Sequence, residues 1–149
     1  MSFKMERVHV WTGEVEDRPG GAAAILAKLA HAGADLEYIF TQRLLDKPGS
    51  GILFVAPITG HAHEEAARAV GLRETDTPIV HRIEGDNSAG LAHRLTQHWA
   101  EEGISFQGLT LSAIADKFIG YVAFDSVADA NRAAQILAEE GNGHTVANA

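Results

Sequence analysis

An order of apolar runs and turn residues in the first half of this chain returns in the second, and that repeat narrows the folds open to it. In the first half, Arg7 to Gly13 is a short alternating run of the kind strands make. The loop Asp17-Arg18-Pro19-Gly20-Gly21 follows. A helix is predicted from Ala22 to Ala32, with Ala22, Ile25, Leu26 and Leu29 on one face and Gly33 as its stop. Asp35 to Leu44 alternates with a two-residue period, Asp46 to Ser50 reads as a turn, and Ile52 to Val55 as a strand buried on both faces. His61 to Val70 reads as a second helix, and Leu72 to Thr75 as a short fourth strand.

The second half repeats these events. Ile79 to Gly85 is a strand, Asp86-Asn87-Ser88-Ala89-Gly90 a loop, and Leu91 to Glu102 a helix ended by Gly103. Phe106 to Ile114 and Phe118 to Asp125 form a hairpin. A helix capped by Ser126 runs from Val127 to Glu140, and a short strand is expected at His144-Thr145-Val146. Asp17 and Asp86 lie 69 positions apart, as do Gly21 and Gly90, whereas Gly33 and Gly103 lie 70 apart. One extra residue in the second helix would account for the drift. The expected fold is therefore α+β: two βαββαβ modules in tandem, residues 1–76 and 77–149, joined through Thr75-Asp76-Thr77-Pro78. Modules of about 70 residues bury little area alone, so the copies are expected to pack together and the chain to form a homodimer.

Composition removes several classes of function. The absence of cysteine excludes disulfides, thiolate nucleophiles and sulfur-rich metal sites. A net charge of -8 argues against nucleic acid as a partner, since such binding relies on Lys and Arg at phosphates. The N-terminal residues have no apolar signal core and no run is long enough to span a membrane, so a soluble, cytoplasmic protein is expected.

The two helix-start loops carry the chemistry. Unpaired N–H groups and the positive end of the helix dipole suit a carboxylate there, and Gly20 and Gly21 permit close approach. Asp17 could pair with an ammonium group, so the loop as a whole describes a zwitterion. Asp86, Asn87 and Ser88 offer the same in the second copy. Ordinary capping and turn formation explain the same residue types without a ligand.

Asp17-Arg18-Pro19-Gly20-Gly21-Ala22, followed by a helix and Ala32-Gly33-Ala34-Asp35-Leu36, resembles an ACT domain, with Asp35 in the place of the family's Asn or Asp. The second copy departs from the pattern: in the 69-residue register Ala89 replaces a glycine, the proline is missing, and Ser105 stands where Asn or Asp is usual. The resemblance implies ferredoxin-like modules, antiparallel sheets with helices on one face, and a stand-alone regulatory protein without catalytic activity. It further implies a small-molecule effector, an amino acid, bound by Asp17, Arg18, Pro19, Gly20, Gly21 and Ala22, by Asp35, and by Asp86, Asn87, Ser88, Ala89 and Gly90. A partner enzyme would read the bound state, and no cofactor is called for. An effector site in the first loop would be lost in Asp17→Ala combined with Gly21→Val, with the fold expected to survive.

Two other readings compete: an adaptor whose sheets only mediate oligomerisation, and a small enzyme on the same scaffold. His61 and His63, two apart on a helix, and His93 and His98, five apart, lack metal-ligand spacing. Thr110 and Ser112 read as sheet residues, and Trp11 and Trp99 as packing residues. Tyr38, Phe40 and Tyr121 are expected on the helix-covered face of the sheets.

Overall fold

The computed structural model describes residues 3–147, with side chains described through Glu139. The chain separates into two compact units, and one is inserted into the other: His9–Asp76 forms the insert, while the segment ending at Val8 joins the chain from Thr77 onward as the host. The insert runs β2 (Trp11–Glu16), α1 (Gly21–His31), β3 (Tyr38–Arg43), β4 (Ser50–Ala56), α2 (His61–Ala69) and β5 (Arg73–Glu74). Its antiparallel sheet has the order β3-β4-β2-β5, so β2 and β4 are central. The host consists of β1 (Phe3–Val8), β6 (Ile79–Asp86), α3 (Leu91–Glu101), β7 (Gly108–Ile114), β8 (Lys117–Phe124) and α4 (Val127–Ala147), with the antiparallel order β1-β6-β8-β7.

The two sheets match strand for strand, with one exchange. In the host, the position that β5 holds in the insert is taken by β1, paired from Phe3 opposite Gly85 to Val8 opposite Val80. The strand expected at His144-Thr145-Val146 does not form; α4 continues through those residues to Ala147, and the edge it would have occupied is filled from the N-terminus. Phe3–Val8, read from sequence as part of the first copy, thus completes the second. Its alternation marks a strand but cannot say which sheet accepts it, because pairing partners are set by tertiary structure.

Each unit has its own core on one side of its sheet. In the insert, Trp11, Val15, Leu53 and Val55 from the strands meet Leu29 of α1 and Ala67 of α2. In the host, Ile79, Ile83, Phe118, Val122 and Phe124 meet Leu91, Leu95 and Trp99 of α3 and Ala130, Ala133, Ile136 and Leu137 of α4. The alternation that buries Leu53 and Val55 puts Phe54 on the other face, where it tilts against Phe40 at 6.2 Å. Tyr38, paired with Ala56, shares that face, and Tyr121, next to the core residue Val122, lies on the corresponding face of the host. These three aromatics therefore face away from the helices, contrary to expectation: period two defines two faces and leaves open which one is covered.

Among the described residues, one polar side chain is buried on the helix side of the host. His81 lies between Arg7 of β1 and Val122 of β8, edge-on to Phe124 at 6.0 Å, and its Nδ1 has no hydrogen-bond partner. Burial holds its pKa below the ordinary histidine value, and the Arg7 charge pushes in the same direction. The native state therefore keeps the ring neutral where the unfolded chain takes up a proton. His81 supports full stability above the unfolded value of about 6.5, and that contribution is lost as pH falls through the lower folded value. Thermal unfolding from pH 7 downward should show a shallower loss of stability in His81→Leu than in the wild type. Equal slopes would mean that His81 is as easily protonated in the fold as out of it.

Candidate functional site

The two helix-start loops occupy equivalent places, but in a register of 70 residues throughout. Glu16 pairs with Ser50 as Asp86 pairs with Lys117, and the Asp17 N–H donates to Gly49 O as the Asn87 N–H donates to Asp116 O. Gly20 and Gly90 are both left-handed residues immediately before their helices, with φ of 87° and 82°. Both helices are 11 residues long, so there is no extra residue in the second. The correspondences of Asp17 with Asp86 and Gly21 with Gly90 are thereby corrected. Asn87 stands in the place of Asp17, Ala89 in that of Pro19, Gly90 in that of Gly20 and Leu91 in that of Gly21. The second loop keeps the glycine its backbone needs, while the other four positions differ, with Ser88 in the place of Arg18.

In the insert, the loop is tied to itself and to the sheet. The Asp17 carboxylate, read from sequence as a partner for an ammonium group, receives Arg43 Nε at 2.6 Å and Nη2 at 3.4 Å. Arg18 is paired with Glu16 and also donates to Pro19 O at 3.3 Å. Gly21 is buried, and a Cβ there would stand 2.1 Å from the carbonyl oxygen of Glu16. Its lack of a side chain serves the contact between helix and strand rather than access for a ligand, so Gly21→Val would not leave the fold intact as expected. No side chain caps α1, and Ala22 lies half-buried in its first turn. Asp35 is exposed in the segment between α1 and β3, apart from the strand it was expected to open.

In the host, Asn87, Ser88, Ala89 and Gly90 come together with Leu91 and Ala92 around an open pocket of about 360 Å³, bordered on its other side by Leu111, Ser112 and Ala113 of β7 and by Phe118. Its volume falls within the usual range for small-molecule sites, and its lining is apolar with a few hydroxyl and amide groups. Arg94, one helical turn into α3, folds back over the loop: Nη2 donates to Ser88 Oγ at 2.8 Å and Nη1 to Ala89 O at 2.9 Å. A guanidinium at the positive end of a helix is electrostatically out of place unless something holds it there. That is the signal by which Arg94 was legible in the sequence and was passed over. Arg43 carried no comparable mark at the end of an alternating run.

Asp86 is separated from this group. Its carboxylate is hydrogen-bonded to Lys117, which holds it below the ordinary carboxylate value. With Lys4, Glu84, Lys117, Ile114 and Ile119 it borders a different cavity, of about 560 Å³. Of the helices, His61 pairs with Glu65 at 3.2 Å. Among the described residues no group of three or more His, Asp or Glu side chains converges in the manner of a metal site, and no helix is long and apolar enough to cross a membrane.

No family model matches the sequence, and no curated protein does. Solved structures do match. A protein of Bacteroides thetaiotaomicron is similar with a TM-score of 0.73 and 13% identity, over 88% of each chain. The ligand-free regulatory subunit of aspartate kinase from Thermus thermophilus is similar with a TM-score of 0.63 and 14% identity, over 92% of this chain and 97% of that one. The aspartate kinase of Clostridium acetobutylicum matches with a TM-score of 0.57 and 12% identity, over 93% of this chain but 34% of the enzyme. At these identities the likeness shows the fold: two ferredoxin-like units with antiparallel sheets, an architecture shared with the regulatory subunit of an amino-acid kinase.

Proposed function

We propose that this chain is a non-catalytic regulatory protein that binds a small effector, an amino acid, at the β6–α3 loop of the host unit. The observation that carries the reading is the 360 Å³ pocket lined by Asn87 and Ser88, two of the three residues chosen on chemical grounds in the sequence, with Ala89 and Gly90, which the family resemblance implied. The first-turn N–H groups of α3 and the positive helix end would receive the carboxylate. Asn87 supplies a side-chain oxygen for an ammonium group, and Leu91, Leu111 and Phe118 supply apolar contact for a side chain. Arg94 would fix the loop in its receptive shape through Ser88 and Ala89. The similar fold of an aspartate kinase regulatory subunit favours the same broad role, with a partner enzyme that senses the bound state. Such sensing requires the effector to differ in affinity between two states of the protein.

Thermal unfolding against a panel of amino acids at millimolar concentration tests the reading. An effector at about 100 times its dissociation constant should raise stability by roughly 2.7 kcal/mol. Arg94→Ala should abolish that rise, whereas Asp17→Asn should leave it. Loss of the rise in Asp17→Asn alone would move the site to the insert, and a flat panel in every case would favour the adaptor reading.

A further inference from the structure

As an edge strand, β1 is held in the host sheet by a single ladder, that with β6. On the helix-free face the two strands are joined by Arg82 with Glu6 at 2.9 Å and Lys4 with Glu84 at 3.9 Å, partly exposed ion pairs of a kind that contributes little. On the helix side, Phe3 and Met5 pack against the host core. The next residue of that face, Arg7, stands directly opposite His81. Opposed residues of an antiparallel pair have their Cβ atoms about 5 Å apart, and like charges there are destabilising.

We propose that protonation of His81 releases β1 from β6, so that the host sheet gives up this edge strand in mildly acidic solution. His81 is the only histidine in the four host strands, and its surroundings suit a neutral ring. On β8 it meets Val122 and Phe124. The α4 residues buried in the core, Ala130, Ala133, Ile136 and Leu137, carry no charge. The charged side chains described on α4 are Asp129, Arg132 and Glu139, and Arg132 is paired with Glu102 at 3.0 Å and with Glu139 at 3.6 Å. The charge that acts on the ring is that of Arg7. A protonated ring carries N–H at both nitrogens, and at Nδ1 no acceptor is present. Moving β1 away removes the opposed guanidinium and opens the ring to water at the cost of one ladder, whereas parting β6 from β8 would split the centre of the sheet. Glu6 does not fail first: the hydrogen bond and charge of Lys4, with the charge of Arg82, hold its carboxyl below the ordinary value. Release uncovers Phe118, against which Phe3 is tilted at 5.8 Å, and turns β6 into an open edge.

Amide hydrogen exchange of the full chain, followed residue by residue by NMR from about pH 7.5 to about pH 5, tests this across the histidine range. Protection factors, which allow for the pH dependence of intrinsic exchange, should fall in β1 by up to about tenfold per pH unit, the limit for uptake of one proton. Those of the β7–β8 ladder should hold, because a local opening leaves the rest of the sheet intact. His81→Gln should keep β1 protected throughout the range. The wild type decides without any variant as well, since the His81 ring resonances should titrate in step with the loss of protection. Protection of β1 that is constant with pH overturns the proposal, as does a fall shared equally by β7 and β8. An equal fall in folded His81→Gln overturns it too, as would a His81 ring that stays neutral while β1 opens.

Discussion

Gly21→Ala should destabilise the protein by about 3 kcal/mol or more, beyond the usual range for one added methyl in a packed interior, while Gly20→Ala should cost only about 1 kcal/mol. The two glycines are neighbours with different reasons to be glycine. Gly20 has a φ of 87°, where alanine is strained, but the nearest atom to an added Cβ is the end of the Arg18 side chain at 3.8 Å. Gly21 would place its Cβ 2.1 Å from Glu16 O and 3.1 Å from Glu16 C, both backbone. That carbonyl also accepts from the Arg18 N–H, and Arg18 O accepts from the Gly21 N–H, each at 3.0 Å, so the turn is tied on both sides. Glu16 is further fixed by pairing with Ser50. No side-chain rotation relieves such a contact; strand end and helix start must separate. Urea midpoints of the two variants at equal slope provide the comparison. Equal losses would mean that the two elements can move apart cheaply.

This pair shows how far the loop could be read from sequence. Gly-Gly before a helix is visible, and both residues suggest open access to a ligand; only the path of the strand reveals that one of them is closed by packing. The register shows the same limit. Asp and Gly at 69-residue spacing form a persuasive match, yet the backbone equivalence of Gly20 with Gly90 sets the spacing at 70 and puts Leu91 where Gly21 stands. Helices α1, α2 and α3 were legible to within a residue because their apolar spacing and glycine stops are local. The source of the host's fourth strand was not, since pairing of β1 with β6 joins residues more than 70 positions apart. Likewise Asp17 and Asp86 were recognisable as loop carboxylates, but their partners Arg43 and Lys117 come from other strands.

Trp99→Ala should cost about 4 kcal/mol, the scale of emptying a buried aromatic site. Trp99 is fully buried, and its ring meets Phe124 edge-on at 5.7 Å and Phe106 at 6.0 Å. Its Nε1 donates to Ala133 O at 3.3 Å, so one side chain of α3 joins the sheet and α4. Truncation leaves a cavity bounded by elements that cannot all collapse into it, and the two phenylalanines lose their shared neighbour. Trp99→Phe separates the contributions. It keeps an aromatic ring against Phe106 and Phe124 but gives up the indole N–H and part of the volume, so it should cost less than half as much. If phenylalanine proved as damaging as alanine, the bond to Ala133 and the exact shape of the indole would outweigh aromatic contact in holding α4 to the host. A small loss in both would mean that α3 and α4 close over the gap.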